Sequence, residues 1–179
     1  MSKIRVIFLT FISLLISACQ IKVPDDITPV NHFDAARYLG KWYEIARLDN
    51  KFEKNMVNVS ANYSLRDDNG IKVVNRGFDN EKQVWQESIG RAYFLGVTDV
   101  AALKVSFFGP FYGGYNVVKL DKDYQVALIA GSNKEYLWIL ARTPCISDEL
   151  KTAYVEKAKE IGFDINKLNF NIQTSCTVQ

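Results

Sequence analysis

The chain has 179 residues, which suits one ordinary domain, and its 48% apolar and 13% aromatic content excludes a mainly disordered chain. The formal net charge of +2 falls to zero once Lys3 and Arg5 are assigned to a cleaved leader, and a neutral chain without a basic block excludes nucleic acid as a partner. His32 is the single histidine, so a multi-histidine metal site is excluded as well.

A short apolar segment near the N-terminus predicts a signal peptide at residues 1–18. Lys3 and Arg5 precede an apolar run at 6–16. A helix of that length, at 1.5 Å per residue, covers only about half of a ~30 Å hydrocarbon core, so the run does not predict a transmembrane helix. A basic start followed by a short apolar run is typical of a secretory signal peptide.

Cys19 follows this run and allows two interpretations. In the first, a plain signal is cleaved at a small residue and Cys19 is incidental. In the second, Ile-Ser-Ala-Cys at positions 16–19 resembles the lipobox of bacterial lipoproteins, which implies cleavage after Ala18 and acylation of Cys19. Gln20 in the next position then implies sorting to the outer membrane, facing the periplasm. Residues 19–31 would be the lipidated N-terminus and a tether, and 32–179 the folded domain.

Short strand-like runs alternate with turn signals through most of the remaining chain. Asn69-Gly70 is a strong hairpin signal, and Gly90 inside a long run predicts a bulge or bend. Eight regularly spaced strands without intervening helices predict an all-β fold, and their closure into an antiparallel up-and-down barrel would remove exposed edges and leave room for one small ligand. The predicted strands are 42–48, 57–65, 71–78, 83–94, 102–108, 115–120, 124–130 and 135–142.

One helix is predicted after the eighth strand. Ser147 suits its N-cap, and Gly162 suits the position just after its end. The apolar side chains between them fall on one stripe, which predicts packing against the outside of the barrel. Residues 168–172 predict a short ninth strand.

Three short motifs lie at the ends of predicted strands. Gly40-x-Trp42 opens the first strand, Asp-Lys-Asp-Tyr at 121–124 lies between strands six and seven, and Arg142 closes strand eight. In this order they resemble the signatures of the lipocalins, in which the guanidinium lies across the indole at the closed end, a contact of about 0.5–2 kcal/mol. The resemblance implies a barrel floor of Gly40, Trp42 and Arg142. The alternative is an ordinary core tryptophan and a surface arginine.

Longer stretches at 38–47, 104–115 and 136–144 resemble the bacterial outer-membrane lipocalins of the Blc type, a group similar to apolipoprotein D and the plant temperature-induced lipocalins. The resemblance covers residues 31–173 and the lipobox. It implies a lipid-binding lipoprotein without a cofactor, with fatty acids or lysophospholipids as ligands and the outer membrane as partner.

The open rim of such a barrel would be formed by residues 49–56, 79–82, 109–113 and 132–134. The third of these loops places Phe111 and Tyr112 at the mouth as an apolar surface with one hydroxyl group, that of Tyr112. The first loop carries Phe52 and resembles a mobile lid. The alternative is that these aromatic side chains pack on neighbouring loops or make a homodimer contact.

Successive side chains of a strand point alternately into and out of the barrel, and this alternation predicts which residues form the wall of its cavity. If Arg142 points to the floor, alternate residues of strand eight face inward with it, and strand one presents Glu44 and Ala46 unless a bulge turns Glu44 outward. For strand three, either Val73 with Asn75 or Val74 with Arg76 faces inward. The predicted ligand-binding residues are Tyr112, Phe111, Tyr115, Val117, Trp138, Tyr136, Leu140, Tyr63 and Ala61.

With Cys19 lipidated, Cys145 and Cys176 remain. An even pair in an oxidising periplasm favours a disulfide, and the alternative is two free buried thiols.

The predicted fold is compatible with three functions. The first is a carrier of fatty acids or lysophospholipids, and the second is a carrier of a ringed ligand such as a tetrapyrrole or isoprenoid. The third is an enzyme, which the residues do not support, because the sequence contains no Gly-x-Ser-x-Gly elbow, phosphate-binding glycine loop or paired acids outside turns.

Overall fold

Eight antiparallel strands close into a barrel in the computed structural model, which describes residues 21–176. Each strand pairs with the next one in the chain, β8 pairs with β1, and β1 returns to β2. The predicted all-β up-and-down barrel is therefore confirmed. The strands are β1 Gly40–Leu48, β2 Met56–Leu65, β3 Ile71–Asp79, β4 Val84–Phe94, β5 Ala102–Phe108, β6 Phe111–Leu120, β7 Val126–Ala130, β8 Leu137–Ala141 and β9 Leu168–Phe170.

In the part of the chain that the structure describes, two α-helices flank the barrel: α1, Ala35–Tyr38, just before β1, and α2, Asp148–Glu160, after β8. A short 3-10 helix, Ile165–Lys167, leads into β9. The Ser147 hydroxyl caps α2 by accepting from the Leu150 N–H, and Gly162 follows its end at φ +84°. Buried Tyr154 packs α2 onto the outer wall and donates its hydroxyl hydrogen to the Val126 carbonyl over 2.7 Å. The predicted outer helix and short ninth strand are both present.

The connection between β5 and β6 is shorter than predicted. Phe108 and Phe111 face each other across the ladder, so only Gly109 and Pro110 form the turn, and β6 begins four residues before the expected Tyr115. The glycines at 113 and 114 suggested a loop, but their backbones pair with Val105 and Lys104. The sheet supplies hydrogen bonds that outweigh the weak strand propensity of glycine.

Of the bulge or bend predicted at Gly90, the bulge is absent. The β3–β4 register runs without a shift from Ile71↔Ala92 to Asp79↔Val84. Gly90 instead makes room for a ring, because a Cβ there would lie 2.8 Å from Phe107.

The barrel wall separates two hydrophobic cores. The inner core surrounds Trp42 at the end of the barrel where β1 begins, and Phe33, from the segment before α1, packs into it. The outer core lies between the wall and α2, and it includes Ile27 from the chain that leads to the barrel. Apolar side chains on both faces explain why β7 is buried at every position.

β1 and β2 diverge towards the open end, and the C-terminal segment fills the gap. Both strands have irregular registers there, between Glu44 and Ala46 and between Val57 and Ser60. β9 pairs with Ala46–Leu48 along the edge that β2 has left. Further on, Asn171 N–H donates to the Ile45 carbonyl over 2.9 Å, and Asn58 N–H donates to the Ile172 carbonyl over 2.8 Å. The segment thus satisfies backbone groups that the splayed strands leave unpaired.

A disulfide joins Cys145, just after β8, to Cys176, with their Cα atoms 5.3 Å apart. Replacing both cysteines with serine is expected to lower the free energy of unfolding by about 3–4 kcal/mol, because the bridge closes a loop with a sequence separation of 31 residues. Urea unfolding of the two proteins measures this difference. A double variant as stable as the wild type would show that the C-terminal segment holds its place without the bridge.

Candidate ligand-binding site

The barrel interior contains a cavity of about 620 Å³, within the range of single small-molecule sites. Val73, Val105 and Leu140 contribute apolar surface, and the cavity opens between the loops that follow β1, β5 and β7. Its wall includes Val73 and Asn75 of β3. Arg76 also borders the cavity, but its guanidinium lies over the ring of Trp85 on the outer wall, so Val73 and Asn75 are the inward pair.

Trp42 and Arg142 close the opposite end. The indole is fully buried, and the guanidinium carbon lies 3.9 Å from the ring centroid. Arg142 also donates to the carbonyl oxygens of Lys41 and Arg37 over 2.9 and 2.7 Å, which ties β8 to the start of β1. Gly40 has φ +91°, and a Cβ there would lie 3.4 Å from the Arg142 Nη1, so glycine suits both the backbone and the close approach.

Three phenol hydroxyls meet at the bottom of the cavity. The Tyr115 oxygen lies 2.7 Å from the Tyr38 oxygen and 3.0 Å from the Tyr63 oxygen. Burial raises the pKa of Tyr63 to about 12 and holds the pKa values of Tyr38 and Tyr115 well above their usual range, so all three stay protonated. Three hydroxyl hydrogens serve two oxygen–oxygen contacts, which leaves one hydrogen for an acceptor in the cavity. Tyr38 was not among the predicted site residues, because it precedes the first strand.

A polar cluster occupies the wall where β1 and β2 diverge. Glu44 faces the cavity and is 1% exposed, and the bulge follows it rather than turning it outward. Arg47 donates to the Glu44 carboxyl and to the carbonyl oxygens of Glu53 and Met56 in the loop after β1. Asn171 donates to the same carboxyl over 2.7 Å. The cluster therefore links β1, the C-terminal segment and the rim loop.

Burial, with a smaller contribution from the Glu53 carboxylate, raises the pKa of Glu44 to about 8, although Arg47 and Asn171 oppose the shift. The Glu53 carboxylate is held apart from Glu44 by other partners: the Trp138 indole N–H and the Asn50 amide donate to it over 2.9 and 2.7 Å. The neutral form of Glu44 can remain a hydrogen-bond acceptor for the buried guanidinium.

Glu44→Gln is expected to flatten the pH dependence of stability between about pH 5 and pH 8. A folded-state pKa above the ordinary 4.5 means that the folded protein keeps a proton which the unfolded chain releases. The stabilisation is therefore complete below pH 4.5 and is lost as pH rises through 8. Melting temperatures across this range should fall more steeply for wild type than for Glu44→Gln. Glu87→Gln, on the exposed outer wall, is the control and should keep the wild-type slope.

The mouth carries exposed aromatic side chains. Phe108 and Phe111 are 73% and 78% exposed on either side of the β5–β6 turn, and Phe52 is 63% exposed in the loop after β1. Unlike these exposed phenylalanines, Tyr112 contacts two cationic side chains. Its hydroxyl accepts from the Arg91 Nε over 3.1 Å, and the Lys104 ammonium lies 4.9 Å from its ring centroid.

Most of the predicted ligand-binding residues line the cavity, and Val117 does not. Val117 is fully buried in the inner core and its backbone bonds to Val30, so it supports the wall from below the cavity. Ala46, expected to face inward with Glu44, lies in the outer core, because the bulge shifts the parity and turns Arg47 inward instead. The residues that do line the cavity are Ala61, Tyr63, Phe111, Tyr112, Tyr115, Tyr136, Trp138 and Leu140.

A closed barrel with an apolar cavity, plugged at one end and open at the other, defines a binding protein for small hydrophobic molecules. The chain belongs to the lipocalin family, since the family model described as a lipocalin-like domain matches residues 33–173.

Named relatives agree with this assignment. The chain is 54% identical to outer membrane lipoprotein Blc of Escherichia coli (strain K12) over 156 residues, which cover 87% of this chain and 88% of that protein. It is 31% identical to mouse apolipoprotein D over 153 residues, 81% and 79% of the two chains. Insecticyanin from the tobacco hornworm shares the fold at a TM-score of 0.67 and 21% identity, over 84% of this chain and 86% of its own.

The chain is accordingly an outer-membrane lipocalin, and the family and the names of its relatives point to a binding or carrier protein rather than an enzyme. Within residues 21–176, no helix is long and apolar enough to cross a bilayer. The predicted signal peptide and Cys19 lie outside the described residues.

Proposed function

We propose that the protein binds fatty acids or lysophospholipids in its cavity and stores or transports them in the cell envelope. The cavity is the observation that carries the proposal. Its mainly apolar wall suits an acyl chain, since each buried methylene contributes about 0.8 kcal/mol.

Polar groups at both ends of the cavity favour an amphiphile over a pure hydrocarbon. The phenols of Tyr38, Tyr63 and Tyr115 offer a donor at the bottom, and the Glu44–Arg47 cluster lies in the wall nearer the mouth. No step of this function requires a cofactor or a catalytic residue, and reversible burial of the acyl chain is enough for uptake and release.

Lipid extraction of the purified protein tests the ligand class. We expect mass spectrometry of the extract to show fatty acids or lysophospholipids, and a fluorescent fatty acid to bind with one site per chain. Recovery of a tetrapyrrole or isoprenoid would instead support the carrier of a ringed ligand. An empty extract, together with no binding of added acyl chains, would contradict the proposed carrier of fatty acids or lysophospholipids.

We propose further that acylated Cys19 anchors the protein. Cys19→Ser should move it from the membrane fraction to the soluble periplasmic fraction, while the purified variant binds the fluorescent fatty acid as wild type does. Retention of the variant in outer-membrane fractions would contradict an anchor at this residue.

A further inference from the structure

The segment before the barrel lies near the open end at Asp26 and then runs along the outer wall to the closed end, where β1 begins. The Asp26 carboxylate pairs with the Lys134 ammonium over 2.8 Å, and Lys134 lies in the β7–β8 connection beside Ser132 and Tyr136, which line the cavity. Ile27, the next residue, is 6% exposed in the outer core and fixes the segment there. Cys19 lies seven positions before Asp26, a stretch that spans at most about 25 Å. An anchor at Cys19 therefore keeps the open end close to the bilayer.

The open end is also where the barrel exposes aromatic surface. Phe108 and Phe111 stand opposite each other at the tip of the β5–β6 hairpin, and Phe52 lies in the rim loop after β1. The sequence from Val105 to Val118 contains no charged residue. The charged groups beside the hairpin, Arg91 and Lys104 at Tyr112, are cations, which suit the anionic groups of a lipid headgroup region. Clustered exposure of large apolar side chains is typical of interaction surfaces.

The closed end has a different character. Its exposed large apolar residues are Leu65 and Val97, both aliphatic.

We propose that the open end of the barrel docks on the bilayer that anchors the protein, with Phe52, Phe108 and Phe111 inserted at the headgroup level. In this orientation the cavity opens onto the membrane, and a lipid enters it without crossing bulk water. The docking rests on the membrane location and the anchor, and it does not depend on which lipid the cavity binds.

The orientation is testable with spin labels on the full acylated protein in vesicles of phosphatidylethanolamine and phosphatidylglycerol. Phe111→Cys and Phe52→Cys place a label at the mouth, and Asp67→Cys places the matched label at the closed end. We expect collision with oxygen and a water-soluble nickel complex to place the mouth labels about 5–10 Å below the phosphates, and the Asp67→Cys label in water. Mouth labels that are as accessible to nickel as the control would overturn the proposal.

A second measurement separates docking from ligand binding. The rim variant Phe108→Ser/Phe111→Ser should take up a fluorescent fatty acid from vesicles about tenfold more slowly, because it loses the apolar contact with lipid. The control Leu65→Ser/Val97→Ser, at the closed end, should keep the wild-type rate. Because Phe111 also borders the cavity, titration with the free fatty acid in solution measures any change in affinity, and the slowing of uptake from vesicles should exceed that change. Unchanged uptake by the rim variant would contradict docking, and lost binding in solution would point to the cavity instead.

A second copy of the chain is the competing occupant of the same surface. Short label-to-label distances between Phe111→Cys sites in the same vesicles would show two mouths packed together. That result would overturn membrane docking and assign the aromatic rim to a homodimer.

Discussion

Trp42→Ala is expected to lower the free energy of unfolding by about 3–5 kcal/mol. Trp42 is fully buried, packs against the tilted Tyr38 ring with centroids 4.7 Å apart and forms the surface on which the Arg142 guanidinium lies. Its removal leaves a cavity in the plugged end of a barrel whose interior already holds a large void. The indole N–H also donates to the Tyr38 carbonyl over 2.8 Å, so that acceptor loses its partner.

Trp85→Ala is the matched control for this experiment. Trp85 is 51% exposed on the outer wall, where it contacts Phe78 and Arg76, so its truncation should cost about 1 kcal/mol or less. Urea unfolding followed by circular dichroism compares the two variants with wild type. Equal losses would mean that the closed end contributes no more to stability than the outer surface does.

Ala61→Phe is expected to weaken fatty-acid binding roughly fiftyfold. Ala61 is 8% exposed and faces the cavity beside Trp42, its partner across the β1–β2 ladder. A phenyl ring in the cavity would displace about three methylene groups of an acyl chain, and at ~0.8 kcal/mol each this amounts to about 2.4 kcal/mol of binding free energy.

Asn62→Phe adds the same ring one residue further along β2, on the exposed outer face. This variant should bind the fluorescent fatty acid as wild type does, and both variants should remain folded. Titration of the two proteins under the same conditions makes the comparison. If Ala61→Phe bound as tightly as Asn62→Phe, the acyl chain would have to lie somewhere other than the lower cavity.

Local patterns predicted most of the barrel. β5 has the predicted bounds, Asn69 adopts φ +60° in the hairpin expected at Asn69-Gly70, and Ser147 caps the helix. Such signals act over a few residues, so they can be read without knowledge of the fold. The start of β6 was missed for the same reason, because the local preference of its glycines was outweighed by pairing with β5.

Side-chain parity was predictable only where the strands are regular. Trp138 and Leu140 line the cavity as expected, but a register shift between Glu44 and Ala46 exchanges the expected Ala46 for Arg47. A bulge depends on how two strands meet in space, and the sequence of one strand carries little trace of it.

The sequence by itself determined the order of the strands, the outer helix and the positions of Trp42 and Arg142 at one end of the barrel. Only the tertiary structure decided how β1 and β2 separate and what closes the gap. Asn171 and Gln173 bond to Glu44 from more than a hundred residues away, and Gln173 also bonds to the Val59 carbonyl. Backbone and carboxyl groups that splayed strands leave unpaired need partners, and these can come from any segment that the fold brings close.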